Sequence, residues 1–147
     1  MYGVYHGPDG LKKIAGRVHG LTRLFADAIT EMGYHVAHEH YFDTLKIRVR
    51  FTREQLSEML LNKHINVRYY NDEYIGISFD ETHTMADVQE LIDIFGGANH
   101  SHPVKVADKP AELAINWPDK LQRRSNFMIH PVFNTYQSEH EIGRAHV

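Results

Sequence analysis

The sequence predicts an α+β fold: a two-layer domain in which a mostly antiparallel sheet carries helices on one face, followed by an extended arm. Three observations lead there. Residues 8–33 and 84–97 carry apolar side chains at helical spacing, "TLKIRVRF" alternates apolar and charged residues without a break, and "INVRYY" and "YIGISF" alternate on either side of the turn-forming "NDE". A strand with one polar face belongs to a sheet that is wet on that side, because strands covered on both faces read as continuous apolar runs. Helices supply the other layer.

Each element has its own local signal. Pro8 suits a first helical position, where its missing N–H costs nothing and its fixed φ helps. Leu11, Ile14, Ala15, Val18, Leu21, Phe25, Ala28, Ile29 and Met32 then form one stripe, and Gly33 offers a left-handed stop. Gly16 and Gly20 inside this helix each cost about 1 kcal/mol relative to alanine, so its stability must come from packing. The strand that follows puts Leu45, Ile47, Val49 and Phe51 on one face and Lys46, Arg48 and Arg50 on the other. Thr52 and Gln55 form a capping box ahead of a helix whose apolar face is Leu56, Met59 and Leu60. After the hairpin, Thr84 and Asp87 cap a third helix bearing Met85, Val88, Leu91, Ile92 and Phe95, expected to end at Gly96 and Gly97. The compact domain therefore covers residues 1–97. From Ala98 the chain is punctuated by Pro103, Pro110, Pro118 and Pro131, so residues 98–147 read as a connecting arm with a short helix near "DKLQRRS".

Composition removes several classes of function. There is no cysteine, which excludes disulfides, thiolate zinc sites and cysteine nucleophiles. The net charge of -3, with both signs mixed along the chain, leaves no basic stripe for phosphates, and nucleic acid is not an expected partner. No window approaches the roughly 20 apolar residues of a spanning helix, and Met1 is not followed by a basic and then an apolar region. No membrane is expected, and the chain reads as cytosolic or matrix-like.

The residues that could carry chemistry are few. Twelve histidines invite a metal, and "HVAHEHYFD" is the densest place, but on an extended segment His38 and His40 share a face while His35 points away. Two ligands at most are prearranged there, with Glu39 and Asp43 nearby, so no metal is expected. "YHGPDG" lacks the spacing of a phosphate-binding glycine loop. Ser57, Ser78, Ser101, Ser125 and Ser138 stand in no nucleophile elbow, and lysines 12, 13, 46, 63, 105, 109 and 120 read as solvated rather than as buried Schiff-base amines. No catalytic, cofactor-binding or metal-binding residue is assigned.

Several motifs, in order along nearly the whole chain, resemble one family. "SNFMIHPVFNTYQSEHEI" is similar to the run S-x-F-[LM]-x-H-P-V-F-N-x-[YH]-x-S-E-x-E of the P-protein of the glycine cleavage system, the pyridoxal-phosphate-dependent glycine dehydrogenases (decarboxylating). "MYGVYHGPDGLKKIA" resembles that family's M-Y-x-V-Y-H-G-P-x-G-L-K-x-I-A, "HYFDTLKI" its [FY]-F-D-T-L segment, and "YIGISFDET" its strand ending in a D-E-T turn. Gln137 departs from the histidine frequent at its place, and residues 143–147, "GRAHV", depart from the leucine, arginine and aromatic residue with which the family continues.

The resemblance implies a piece of a larger enzyme. The family's polypeptide has two similar halves, each like a fold type I pyridoxal-phosphate enzyme, and the matched region is the end of the N-terminal half. Residues 1–97 would be its small α+β domain, and residues 98–147 the connection toward the catalytic half. Met1 then need not be a natural start. The Schiff-base lysine of the family lies in the C-terminal half, and this chain has nothing like its motif, so the piece is expected to be inactive alone. The whole enzyme decarboxylates glycine and passes the aminomethyl group to the lipoyl arm of the H-protein, in the bacterial cytoplasm or the mitochondrial matrix. Its other partners would be the remainder of the P-protein and a neighbouring subunit. Phe127, Met128, Ile129, Val132 and Phe133 would dock on that remainder or fold back on their own domain, with His130 and Asn134 fixing the arm by hydrogen bonds. The competing class is a free-standing α+β module that senses an amino acid.

Overall fold

A computed structural model describes residues 1–49, 51–99, 104–106, 117–136 and 138. Their elements are α1 (Tyr2–Glu31), β1 (His35–Val36), β2 (Thr44–Arg48), α2 (Arg53–Leu61), β3 (Arg68–Tyr69), β4 (Tyr74–Ser78), α3 (Met85–Asn99), a 3-10 turn (Asp119–Leu121) and α4 (Val132–Thr135). The chain divides into two compact units, one of Val18–Ile115 and one of Met1–Arg17 with Asn116–Val147.

The first helix is broken at Gly7, whose φ of 62° and ψ of 179° are not helical. Pro8 opens the run that follows, as the sequence predicts, while residues 2–6 add a turn that the sequence does not announce, held by Val4 and Tyr5 N–H bonds to the Met1 carbonyl. At the other end Gly33 takes φ +85°. Its N–H bonds the Thr30 carbonyl at 2.9 Å and the Tyr34 N–H reaches the Ile29 carbonyl at 2.9 Å, the paired bonds of a Schellman stop.

The four strands form one sheet in the order β1-β2-β4-β3, every pair antiparallel. In the central pair Leu45 faces Ile77 and Ile47 faces Ile75, and all four are buried. These side chains, with Val49 and Phe79, join a single core with Leu21, Phe25 and Ile29 of α1, Leu56 and Leu60 of α2, and Val88, Ile92 and Phe95 of α3. Phe25 lies near its centre, its ring edge-on to Phe79 at 5.7 Å and to Phe95 at 5.5 Å. The opposite face of the sheet carries Thr44, Lys46 and Arg48, exposed or half-buried. Helices cover one face, and the other is polar.

Both capping boxes form. The Thr52 hydroxyl accepts from the Gln55 N–H while Gln55 Oε1 accepts from the Thr52 N–H, and Asp87 accepts from the Thr84 N–H at 2.6 Å. Three expectations need correction. Gly96 and Gly97 do not stop α3, which continues to Asn99; neither takes positive φ, and the burial of Phe95 and Gly96 holds the turn that two glycines would otherwise weaken. "TLKIRVRF" is a shorter strand, ending at Arg48, although the Val49 N–H still bonds the Glu73 carbonyl. The arm is not extended throughout: besides the 3-10 turn within "DKLQRRS", residues 132–135 form the one-turn helix α4. Arg50, Ser101, Pro103, Lys109, Pro110, Gln137 and residues 143–147 lie outside the described residues.

Candidate functional site

The closing apolar segment has a partner within its own compact unit. Two cations stand against the Phe127 ring, Lys12 Nζ at 5.6 Å and Arg123 Cζ at 5.5 Å from its centroid. Met128, at φ 53°, reaches the first turn of α1, where a Cβ added to Gly3 would stand 3.3 Å from Met128 Cε. The glycine makes room for the methionine. Val132 and Phe133 are half-buried, but Ile129 is 78% exposed.

His130 and Asn134 are exposed and serve the local backbone. His130 Nδ1 accepts from the Val132 N–H at 3.3 Å, and Asn134 Nδ2 donates to the carbonyls of Met128 at 3.1 Å and His130 at 3.3 Å. "HPVFN" is therefore a turn tied to itself. Among the described residues neither side chain is engaged with another side chain that could polarise it for proton transfer.

A second polar constellation lies at the D-E-T turn between β4 and α3. Asp80 Oδ1 accepts from the Thr82 N–H at 2.9 Å and the Thr82 hydroxyl at 2.6 Å, and stands 2.8 Å from His83 Nδ1. Hydrogen bonds from the Thr82 side chain and then its backbone favour the carboxylate, which holds the Asp80 pKa below its ordinary value. Bonds from the Thr84 hydroxyl and N–H do the same for Asp87. The arrangement carries the chain from a strand into a helix, with one oxygen of each carboxylate engaged in that turn.

The histidines of "HVAHEHYFD" remain apart from any third ligand: His35, His38 and His40 are exposed, and among the described residues no group of three or more histidine, aspartate or glutamate side chains could hold a metal. The sequence reading missed His19. It is 4% exposed, its Nδ1 stands 3.0 Å from the Phe42 carbonyl, and its ring stacks on Phe42 at 6.0 Å. The available signal was its place beside Val18 and Thr22, one turn beyond Ala15 on the apolar stripe. His19 fastens the loop before β2 to α1. Beside it, burial and then the Asp27 charge raise the Tyr41 pKa, partly offset by Arg23.

The cofactor that the motifs imply needs a particular kind of lysine. Lys12, Lys13, Lys63, Lys105 and Lys120 are exposed, and Lys46 is half-buried beneath two tyrosine rings on the polar face of the sheet. A Schiff-base lysine needs a desolvated amine facing a cavity. The described residues do not fit pyridoxal phosphate.

The family model described as glycine cleavage system P-protein matches residues 1–95, the stretch from the first helix to Phe95 of α3. The chain belongs to the glycine cleavage system P-protein family. It is 43% identical over 144 residues to a glycine dehydrogenase (decarboxylating) of Vibrio cholerae, covering 98% of this chain and 15% of that protein. It is 40% identical over 146 residues to the mitochondrial glycine dehydrogenase (decarboxylating) of Pisum sativum, covering 98% of this chain and 13% of the relative, and 42% identical over 151 residues to a glycine dehydrogenase (decarboxylating) of Nostoc punctiforme, covering 98% of this chain and 15% of that relative. The chain thus spans about 15% of the length of the curated P-protein relatives it matches. Similarity extends past the family model into the arm, since the 144 aligned residues cover 98% of the chain. Among the described residues no helix is long and apolar enough to cross a membrane.

Proposed function

We propose that this chain is an architectural piece of a glycine dehydrogenase (decarboxylating), the small α+β domain closing the N-terminal half of the P-protein together with the arm toward its catalytic half. The observation that carries the reading is the alignment of 98% of the chain to only 15% of a relative 43% identical to it. The whole enzyme decarboxylates glycine and transfers the aminomethyl group to the lipoyl arm of the H-protein, in the bacterial cytoplasm or the mitochondrial matrix. Pyridoxal phosphate supplies the electron sink for that decarboxylation, held by residues outside this chain.

Exposed apolar side chains support docking to the rest of the polypeptide. Met1, Tyr2, Tyr5, Leu121 and Ile129, five of the seven large apolar residues exposed among the described residues, fall in the compact unit of Met1–Arg17 and Asn116–Val147. Phe127 and Met128 already rest on the first helix, so the arm and that helix would together present the surface that the remainder of the P-protein covers.

The test uses the purified chain with pyridoxal phosphate, glycine and lipoylated H-protein. The expected result is no release of carbon dioxide, and no pyridoxyl group on any lysine after borohydride reduction, read by mass spectrometry; adding the rest of a P-protein should produce a stable complex. A pyridoxylated lysine, or turnover by the chain alone, would overturn the proposal. A stable dimer with saturable glycine binding by calorimetry would instead favour the amino-acid-sensing module.

A further inference from the structure

The polar face of the sheet contains an arrangement that the docking of the arm does not use. Lys46 of β2 and Arg68 of β3 both stand opposite Gly76 of β4, one on each side. Adjacent strands are about 4.8 Å apart, so the two residues start from backbones about 10 Å apart. The Tyr70 ring fills the space between them: a Cβ added to Gly76 would stand 2.9 Å from Tyr70 Cε2 and 3.1 Å from its hydroxyl. Lys46 Nζ is 5.3 Å from the centroid of this ring and 4.7 Å from that of Tyr74, and Arg68 Cζ is 5.2 Å from Tyr70.

These contacts hold the cations without neutralising them. Arg48, on the same face, has a carboxylate partner in Glu73 at 3.3 Å, and Lys63 of the α2–β3 loop has Glu90 at 3.1 Å. Lys46 and Arg68 have none among the described residues; their partners are aromatic rings. A ring restricts where each cation sits and so lowers the entropy lost when an anion arrives, while both positive charges remain to be met. Tyr70, 44% exposed, adds an apolar surface and a hydroxyl between them.

We propose that Lys46, Tyr70 and Arg68 form a docking surface for an acidic polypeptide segment, one presenting a carboxylate to each of the two cations beside the tyrosine ring. Charge decides the class of partner. The turn joining β3 to β4 carries Asp72 and Glu73, both exposed, which limits the positive patch at that end to these two cations. The surface suits two discrete acidic side chains.

Octaglutamate titrated into the 147-residue chain at low salt, followed by tyrosine fluorescence, provides the test. Binding should be saturable, should fall roughly tenfold in Lys46→Gln/Arg68→Gln, and should be unchanged in Lys13→Gln/Lys105→Gln, which removes the same charge elsewhere. Screening on the unsubstituted chain gives a readout independent of any folding defect: at about 0.5 M sodium chloride, where the Debye length is ~4 Å, binding should disappear. Absence of saturable binding, equal loss in the two double variants, or tighter binding of octathymidylate than of octaglutamate would each overturn the proposal.

Discussion

The Tyr34 hydroxyl donates a hydrogen bond of 2.7 Å to the Phe95 carbonyl, joining the residue just after the stop of α1 to the last apolar turn of α3. Both residues are buried, and their rings lie 5.1 Å apart and steeply inclined. Tyr34→Phe keeps the ring and removes the donor. It should lower stability by about 1 kcal/mol, read as a shift of the urea midpoint at constant slope; an unchanged midpoint would show that this bond does not contribute to joining the helices.

Gly33 isolates a backbone effect. Its φ is +85° and nothing lies within 4 Å of the place a Cβ would take, so alanine there meets strain without collision. Gly33→Ala should cost on the order of 1 kcal/mol, whereas Gly97→Ala, equally open but within α3 and without positive φ, should stabilise by up to about 1 kcal/mol. Thermal melts of the two variants moving in the same direction would refute this account.

Gly76 differs because its obstacle is a neighbour. Gly76→Ala must displace the Tyr70 ring, 2.9 Å from the new Cβ, and should destabilise by roughly 1–2 kcal/mol. In a Tyr70→Ala background the obstacle is gone and alanine should no longer cost stability, because glycine is the weaker strand residue. A double-mutant cycle without coupling would mean that Tyr70 does not lie over this position.

The D-E-T turn sets an acid dependence with a definite sign. Asp80 and Asp87 have pKa values below the ordinary 3.8 in the folded chain because threonine hydroxyls and N–H groups stabilise their anions. Near and below pH 3.8 the unfolded chain therefore binds more protons than the folded one, so this stabilisation is complete above that pH and is lost as pH falls through the folded values. The melting temperature should fall less steeply below about pH 4 in Asp80→Asn/Asp87→Asn than in the unsubstituted chain. Parallel curves would remove these carboxylates from the acid response.

Periodicity disclosed α1 from Pro8, α2, α3, the hairpin and the direction of Leu45, Ile47 and Val49, because each depends on neighbours within a few residues. The same local chemistry disclosed the stop at Gly33 and both capping boxes. It misjudged Gly96 and Gly97, where the burial of Phe95 and Gly96 outweighs a glycine preference. Strand β1 is two residues long and is defined by pairing with β2, so no alternation could reveal it. The candidate site was half legible. The apolar character of Phe127 and Met128 is plain in the sequence, but their contacts with Lys12 and the Gly3 turn join opposite ends of the chain. His19 was hidden for a related reason, since its carbonyl partner is 23 residues away.

The order of the strands also bears on time. Thr44 and Ser78, bonded through their hydroxyls at 2.9 Å at one end of the central strand pair, are 34 residues apart in the chain. The hairpin of β3 and β4 closes over a short turn and can form in about 1–10 µs, whereas bringing β2 to β4 must first close a loop containing all of α2. Folding of this unit should then be paced by the arrival of β2 on a hairpin already made, so a substitution at Ile47 should slow refolding more than an equally destabilising one at the far end of α3.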